Sequence, residues 1–432
     1  MKKKMRFNTK AIHGGQILDP AYGSVMTPIY QTSTYAQTSP GKHKGYEYSR
    51  THNPTRTNLE NSIASLENGK YGLAFSSGLA AIDALLKTLS PGDEVISTND
   101  LYGGSYRLFK TIFQKYDIKF HFVNMEDIKN IEDKITKNTR LIWLETPTNP
   151  MMNIIDIKSL AKLSKKNKIL LCVDNTFASP YLQRPLELGA DIIIHSATKY
   201  IAGHSDVIIG AIVINNKRLH EKLAFIQNAS GATPGPMDSF LTLRGIKTLH
   251  LRMQRHSENA KKIAYFLKRN PKIGKVYWPG FSDHTNHKIA KKQMKDFGGI
   301  VSFIPKQSNF KTAKKNDVIN LEKSLKYGDR ISGHFVQGHI DTTSRIKKID
   351  LVGNSWFINF NLSKRYKKYI IQKGSITING VSLTISKIFK DGFQVVIIPQ
   401  TLKLTNLIYL KNKVLVNLEF DVIGKYINSF LK

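Results

Sequence analysis

From Leu59 to about His250, short apolar runs alternate with longer stretches whose apolar residues recur at helical spacing. The runs Glu94–Ser97, Leu141–Glu145, Ile169–Val173, Ile192–His195 and Ile208–Ile214 predict strands, and Leu79–Thr88 and Ile157–Lys165 predict helices between them. A run such as Ile192-Ile193-Ile194 has no polar face to turn to water. The pattern therefore predicts a parallel sheet covered by helices on both sides, an α/β domain over 61–250. Residues 1–60, rich in Thr, Ser, Tyr, Gly and Pro, predict an extended arm. Residues 251–303 predict one long amphipathic helix, and Val276-Tyr277-Trp278-Pro279-Gly280 then opens a smaller domain that breaks off near Phe303.

From about residue 308 the period changes. Short strands separated by the turn signals Lys373-Gly374-Ser375, Asn379-Gly380 and Asp391-Gly392 predict an all-β unit. An internal repeat lies within it. Ser308-Asn309-Phe310 through Asn320-Leu321-Glu322 aligns without a gap onto Thr405-Asn406-Leu407 through Asn417-Leu418-Glu419. An offset that long is a domain, not a solenoid period. Residues 308–325 thus read as the closing segment of an earlier copy, and 326–432 as one complete β-unit with a C-terminal helix.

Composition and charge change this picture little. The formal charge of +33 suggests an anionic partner. However, residues 304–432 hold 22 Lys+Arg against 8 Asp+Glu, net +14, leaving +19 for residues 1–303. Charge spread that evenly, with no basic block, argues against nucleic acid. The single cysteine, Cys172, allows no disulfide within the chain, and the N-terminus has no apolar h-region. No apolar run is long enough to span a bilayer. A cytoplasmic protein without a membrane partner is expected, and no metal.

The chemistry lies in two short stretches, Leu171-Cys172-Val173-Asp174-Asn175-Thr176 and His195-Ser196-Ala197-Thr198-Lys199-Tyr200. Pyridoxal 5′-phosphate (PLP) asks a protein for an amine to hold its aldehyde, an acid at its ring nitrogen, a phosphate cup and a ring stacker. Lys199 offers the amine and Asp174 the acid. Ser76-Ser77-Gly78-Leu79 opens a helix whose first N–H groups suit a phosphate. Ser196 and Thr198 add hydroxyls beside the lysine, and Tyr102 offers a ring to stack. Singly, each has an ordinary structural reading; together, in this order on such a sheet, they predict PLP.

Residues 7–303 resemble the cystathionine γ-synthase and lyase family of PLP enzymes. The resemblance is carried by Tyr46-Glu47-Tyr48-Ser49-Arg50-Thr51-His52-Asn53-Pro54-Thr55, Ser76–Ala81, Leu101–Tyr106, Glu145-Thr146-Pro147-Thr148-Asn149-Pro150, Val173–Phe177, Ser196–Ala202 and Phe240–Arg252. It implies a PLP fold-type I, aspartate-aminotransferase-like domain, with Lys199 as the Schiff-base residue. It also implies that Tyr102 helps deprotonate the incoming amine, that Asn149 contacts the ring hydroxyl side, and that Thr176 belongs to the cofactor site. Tyr48 and Arg50 would reach the phosphate of a neighbouring subunit, hence a homo-oligomer. The implied activity is γ-replacement on an activated homoserine by cysteine, with cystathionine γ- or β-lyase chemistry as the alternative. Family members continue past Phe303 into a domain whose arginine clamps the substrate α-carboxylate. Nothing resembling that domain follows here, so cofactor binding is expected to survive better than turnover.

Residues 308–432 resemble the C-terminal half of riboflavin synthase. The motifs are Gly328-Asp329-Arg330-Ile331-Ser332-Gly333-His334-Phe335-Val336-Gln337-Gly338-His339-Ile340-Asp341, Lys373-Gly374-Ser375-Ile376-Thr377-Ile378-Asn379-Gly380-Val381-Ser382-Leu383-Thr384 and Ile398-Pro399-Gln400-Thr401-Leu402. They imply an all-β Greek-key barrel that binds a lumazine or riboflavin. Ser382 and Thr384 would hydrogen-bond the heterocycle, and Gly338, His339, Ile340, Lys373, Leu383, Ile398, Pro399, Gln400 and Thr401 would line the site. The alternative reading of the whole chain is accordingly a lumazine- or flavin-binding protein.

Overall fold

The computed structural model describes residues 5–306, 320, 334, 336 and 338–430. The chain divides into two compact units, Met1–Ile304 and Pro305–Lys432.

The first unit is built on seven strands: Tyr71–Phe75 (β1), Glu94–Thr98 (β2), Lys119–Val123 (β3), Thr139–Glu145 (β4), Leu170–Asp174 (β5), Ile192–His195 (β6) and Gly210–Ile214 (β7). Their order is β1-β7-β6-β5-β4-β2-β3. The strands from β2 to β6 run parallel to their neighbours, whereas β7 lies antiparallel between β1 and β6. The sheet is therefore mixed, which corrects the wholly parallel expectation. A run as apolar as Gly210–Ile214 records burial on both faces but not direction. Strands β1 and β3 were not foreseen. Gly72 interrupts the β1 pattern because a Cβ there would lie 2.2 Å from Glu60 O, on the helix packed above it.

Successive side chains alternate between two cores, as strand geometry requires. Ile142, Val173, Ile193 and Val213 face the helices Pro54–Leu66 and Ile157–Lys166. Trp143, Cys172, Ile192, Ile194 and Ile212 face Gly78–Leu86 and Lys217–Ser230. Helix starts follow their capping residues: Asn53 accepts from Thr55 N and Arg56 N, Ser77 from Ala80 N, and Asp156 from Ser159 N. The extended arm over 1–60 is only partly so, since Phe7–His13 is helical and the Pro54–Leu66 helix starts inside it. Nor do residues 251–303 form a separate compact body, because they belong to the first unit. The long helix there is Leu249–Arg269, followed by a two-stranded pair, Ile273–Tyr277 (β8) and Ser302–Pro305 (β9).

The second unit is a closed six-stranded antiparallel barrel of Thr342–Val352 (β10), Ser355–Asn361 (β11), Ser375–Ile378 (β12), Val381–Phe389 (β13), Gly392–Ile397 (β14) and Leu415–Phe420 (β15). Register shifts at Ile346/Lys348 and Ile385/Lys387 bend β10 and β13 enough to close it. Asn379-Gly380 joins β12 to β13 with φ of 47° and 82°, the left-handed pair that a tight hairpin demands. Phe360 and Phe393 stack inside at 5.3 Å, and Val422–Phe430 forms the C-terminal helix. Of the segment 308–325 only Asn320 is described. It exchanges hydrogen bonds with Asn406 and donates to Asn379 O; the rest of that segment lies outside the described residues. No helix among the described residues is long and apolar enough to cross a membrane.

Candidate active site

The direction of β7 decides where the site forms. Because β7 opposes both β1 and β6, β1 points the same way as β6, β5, β4 and β2. Ser77 after β1, Tyr102 after β2, Asn149 after β4, Asp174 at the end of β5 and Lys199 after β6 therefore emerge on one edge of the sheet. Loops at carboxyl strand ends are where open α/β sheets bind ligands.

Contacts tie these ends together in turn. A Cβ on Gly78 would lie 2.9 Å from Ser196 Cβ, so the helix start sits directly on the lysine loop. Ser196 N donates to Thr176 Oγ1 at 2.8 Å, and Thr176 N donates to Asp174 Oδ1 at 3.0 Å. Asp174 and Glu145 are register partners on β5 and β4. Glu145 Oε2 accepts from Tyr102 N at 2.9 Å, and the Asn149 N–H also bonds this carboxylate.

Three residues of this framework are not singled out as site residues by the sequence, although Glu145 and Arg252 stand at the ends of matched stretches. Gly210 lets the phosphate-type loop close: a Cβ there would lie 2.1 Å from Ser77 O and 2.7 Å from Gly78 N. Gly210→Ala should move that loop and weaken anion binding, with loss of about 1–3 kcal/mol of stability from overpacking. Phosphate-dependent protection in thermal unfolding would measure it. Arg252 spends its guanidinium largely on backbone carbonyls, with Nη1 2.6 Å from Tyr200 O, just past Lys199, and Nη2 2.8 Å from Gly245 O. Gly203, at φ +77°, leaves the room for it. Glu145 was visible only as part of a matched stretch.

Electrostatics single out the β4–β5 edge. Burial pushes the Asp174 carboxyl up, and burial together with Asp174 pushes Glu145 well up. Neither carboxyl forms an ion pair among the described residues, so this edge is a ready place for a cation. A heteroaromatic nitrogen that becomes protonated on arrival meets that demand. The helix start meets the other end of the cofactor. Gly78 and Leu79 are among the first residues of their helix, whose N–H groups lack intrahelical acceptors. Ser77 Oγ caps Ala80 N at 3.0 Å with a lone pair and keeps its proton to donate. The residues present thus fit PLP.

Other expected residues are placed differently. Thr198 Oγ1 bonds both Ile209 N and Ile209 O, so its hydroxyl serves the loop. Tyr102 is half exposed at the mouth, its ring over Gly104. Tyr48 and Arg50 stand apart: Arg50 lies 5.6 Å from the Tyr48 ring centroid and donates to Asn228 O at 2.7 Å. A cavity of about 690 Å³ is walled by Thr198, Lys199, Arg252, His256 and Ile300 among others, but not by Asp174, Ser77 or Tyr102. It adjoins the lysine without being the cofactor cup.

In the barrel, Leu383 points into the core while Ser382 and Thr384 face outward from β13. Ser382 Oγ lies 2.8 Å from His334 Nδ1, and Thr377 Oγ1, on the paired strand, lies 3.2 Å from His334 Nε2. His334 was read only as part of a motif. Lys373, at φ 66°, leads into β12, and its N–H donates to Ile385 O at 2.8 Å. Gly338, at φ +74°, His339 and Ile340 precede β10. Ile398, Pro399 and Gln400 are exposed where the helix Pro399–Leu404 starts, and Thr401 O accepts from Thr405 Oγ1 at 2.7 Å.

Comparison with known proteins gives the same two parts. Residues 8–329 match the profile of the family described as Cys/Met metabolism PLP-dependent enzyme, and residues 337–421 match the lumazine binding domain. The chain is 51% identical over 302 residues to a cystathionine β-lyase of Coxiella burnetii, covering 69% of this chain and 78% of that protein. It is 51% identical over 300 residues to a probable cystathionine γ-synthase of Herpetosiphon aurantiacus, covering 69% and 94%. A cystathionine γ-synthase of Mycobacterium tuberculosis is 52% identical over 296 residues, covering 68% and 76%. Among solved structures, cystathionine γ-lyase from Lactobacillus plantarum complexed with L-serine matches with a TM-score of 0.69 and 45% identity, over 74% of this chain and 84% of that one.

Proposed function

Because this chain belongs to the Cys/Met metabolism PLP-dependent enzyme family, we propose that its first unit catalyses γ-replacement, joining cysteine to an activated homoserine to form cystathionine. The reaction breaks the Cγ–O bond of the acylated homoserine and forms a Cγ–S bond, and the thiol proton leaves with the carboxylic acid. The observation that carries the reading is the convergence of Lys199, Asp174 and the Ser77–Gly78 helix start on one sheet edge. Bound there, PLP supplies an electron sink for negative charge at the substrate Cα.

The chain's own groups do the rest. Lys199 Nζ would hold the aldehyde carbon and, once released, would carry a proton between substrate carbons. Asp174 keeps the ring nitrogen charged, and Thr176 keeps Asp174 aimed. Ser77 Oγ and the N–H groups of Gly78 and Leu79 hold the phosphate, with Ser196 beside them. Tyr102, half exposed at the mouth, would stack on the ring and accept a proton from the incoming amine, while Asn149 would border the ring hydroxyl. Tyr48 and Arg50, which pair with each other, would reach a neighbouring subunit's phosphate in a homo-oligomer.

The test offers the purified chain an O-acylhomoserine with cysteine, and separately cystathionine alone. Cystathionine formation supports the proposal. Release of ammonia with pyruvate or 2-oxobutyrate from cystathionine, without synthesis, replaces it with a lyase.

A second activity is favoured by one observation, the polar patch of His334, Thr377 and Ser382 on a closed barrel of the lumazine binding domain. We infer that this patch holds a lumazine or flavin heterocycle, with Thr384 completing it. Titration should quench flavin fluorescence. Ser382→Ala with Thr384→Val should weaken binding about tenfold, the loss expected for two hydrogen bonds.

A further inference from the structure

Behind the strand ends lies a polar cluster that the chemistry above does not use. Glu67, Asn175 and His195 are fully buried and Gln183 is 2% exposed. Glu67 Oε1 bonds His195 Nε2 at 2.6 Å and accepts from Asn175 Nδ2 at 2.9 Å. Gln183 Nε2 donates to Asn175 Oδ1 at 3.0 Å and to Thr146 O at 3.1 Å, and Gln183 O accepts from Asn175 Nδ2 at 2.9 Å.

These bonds join three strand ends. Thr146 follows Glu145 of β4, Asn175 follows Asp174 of β5, and His195 closes β6 four residues before Lys199. Glu67, at the end of the helix Pro54–Leu66, is the anchor. The arrangement is costly, since Glu67 Oε2 and His195 Nδ1 are buried with no partner among the described residues. Apolar side chains of similar volume would fill the space at lower cost. What apolar packing cannot supply is directional bonds that fix the spacing of three loops.

We propose that Glu67, His195, Asn175 and Gln183 form a positioning cluster that locks the ends of β4, β5 and β6, so that Asp174 and Lys199 present to one and the same ring. The proposal rests on the PLP reading of the strand edge.

The experiment measures PLP dissociation and the visible spectrum of the folded full-length chain for Glu67→Gln, the double variant Glu67→Gln/His195→Gln, and Gln183→Met. Glu67→Gln replaces the carboxyl by an amide and leaves the shape. It should weaken PLP retention about tenfold and shift the cofactor band. The double variant, in which two neutral amides can pair, should recover part of that loss. Gln183→Met removes the side-chain bonds of Gln183 to Thr146, Asn175 and Gln293 but leaves those of Glu67 to His195 and Asn175; it should act in the same direction more mildly, which keeps the test alive if Glu67→Gln fails to fold. A merely structural cluster would lower the thermal midpoint of the apo form while leaving PLP dissociation and the spectrum as in the unsubstituted chain; that outcome overturns the proposal. If the unsubstituted chain shows no band with PLP, the cofactor reading fails first and takes the cluster with it.

Discussion

Lys199→Ala is expected to lower turnover by at least about a thousandfold and to remove the visible absorption of the PLP-loaded chain. The size of the effect follows from how little else the edge offers in its place. Ser196 and Thr198 flank the lysine as hydroxyls, and the Thr198 hydroxyl is already bonded to Ile209 on both sides. The Arg252 guanidinium is spent largely on backbone carbonyls. No other amine follows β6 on this loop, so the covalent hold on the aldehyde and the proton carried by Nζ disappear together. The loop itself survives, because its bonds run through Ser196 O, Lys199 N and Gly203 N and do not involve the lysine side chain. Absorption spectra and steady-state rates on the same preparation measure both losses, and an unchanged thermal midpoint of the apo form separates them from misfolding. A variant that keeps its colour would remove Lys199 from the site.

Asp174→Asn is expected to cost on the order of a hundred- to a thousandfold in kcat, the range for deleting one preorganised electrostatic partner. The amide is the same size and still accepts from Thr176 N, but it cannot hold a ring nitrogen charged. A linked effect on stability separates this role from packing. Burial raises the Asp174 and Glu145 carboxyls above their unfolded values, so the folded apo chain keeps protons that the unfolded chain has released. Their contribution to apo stability is therefore present at acid pH and declines as pH rises from the ordinary carboxylate range through the raised values. Bound PLP brings a cation to the same edge and offsets the decline, so the holo-minus-apo difference in thermal midpoint should grow with pH. In Asp174→Asn that growth should shrink. A difference that stays flat in the unsubstituted chain contradicts the assignment.

What could be read from the sequence follows from what sequence periodicity encodes. Runs such as Ile192–His195 announce burial on both faces, and Ser77 announces a helix start, so layers and most strands were legible. Strand direction was not, because the apolar content of Gly210–Ile214 is the same whichever way the chain runs. Lys199, Asp174 and Ser77–Gly78 stood out because cofactor chemistry limits the residue types that can serve. Gly210 and Arg252 did not, since their work is steric and backbone-directed and shows only when Ser77 O and Tyr200 O are brought against them. The Glu67–His195 pair was equally silent, as two residues so far apart in the chain leave no local pattern. In the barrel, Asn379-Gly380 announced its hairpin, while the pairing of His334 with Ser382 depended on a fold that sets them side by side.

The pairing of β1 with β7 also dictates a timetable. During synthesis, Tyr71–Phe75 leaves the ribosome long before Gly210–Ile214, the strand it must lie against. Until that later strand arrives, the turn at Ser77–Gly78 has neither its neighbour Ser196 nor the gap at Gly210 that seats it. A nascent chain halted before Gly210 is therefore expected to fail to capture the vitamin B6 coenzyme. Loading with coenzyme is thus a late, post-collapse event, and such long-range closure is the slow part of folding.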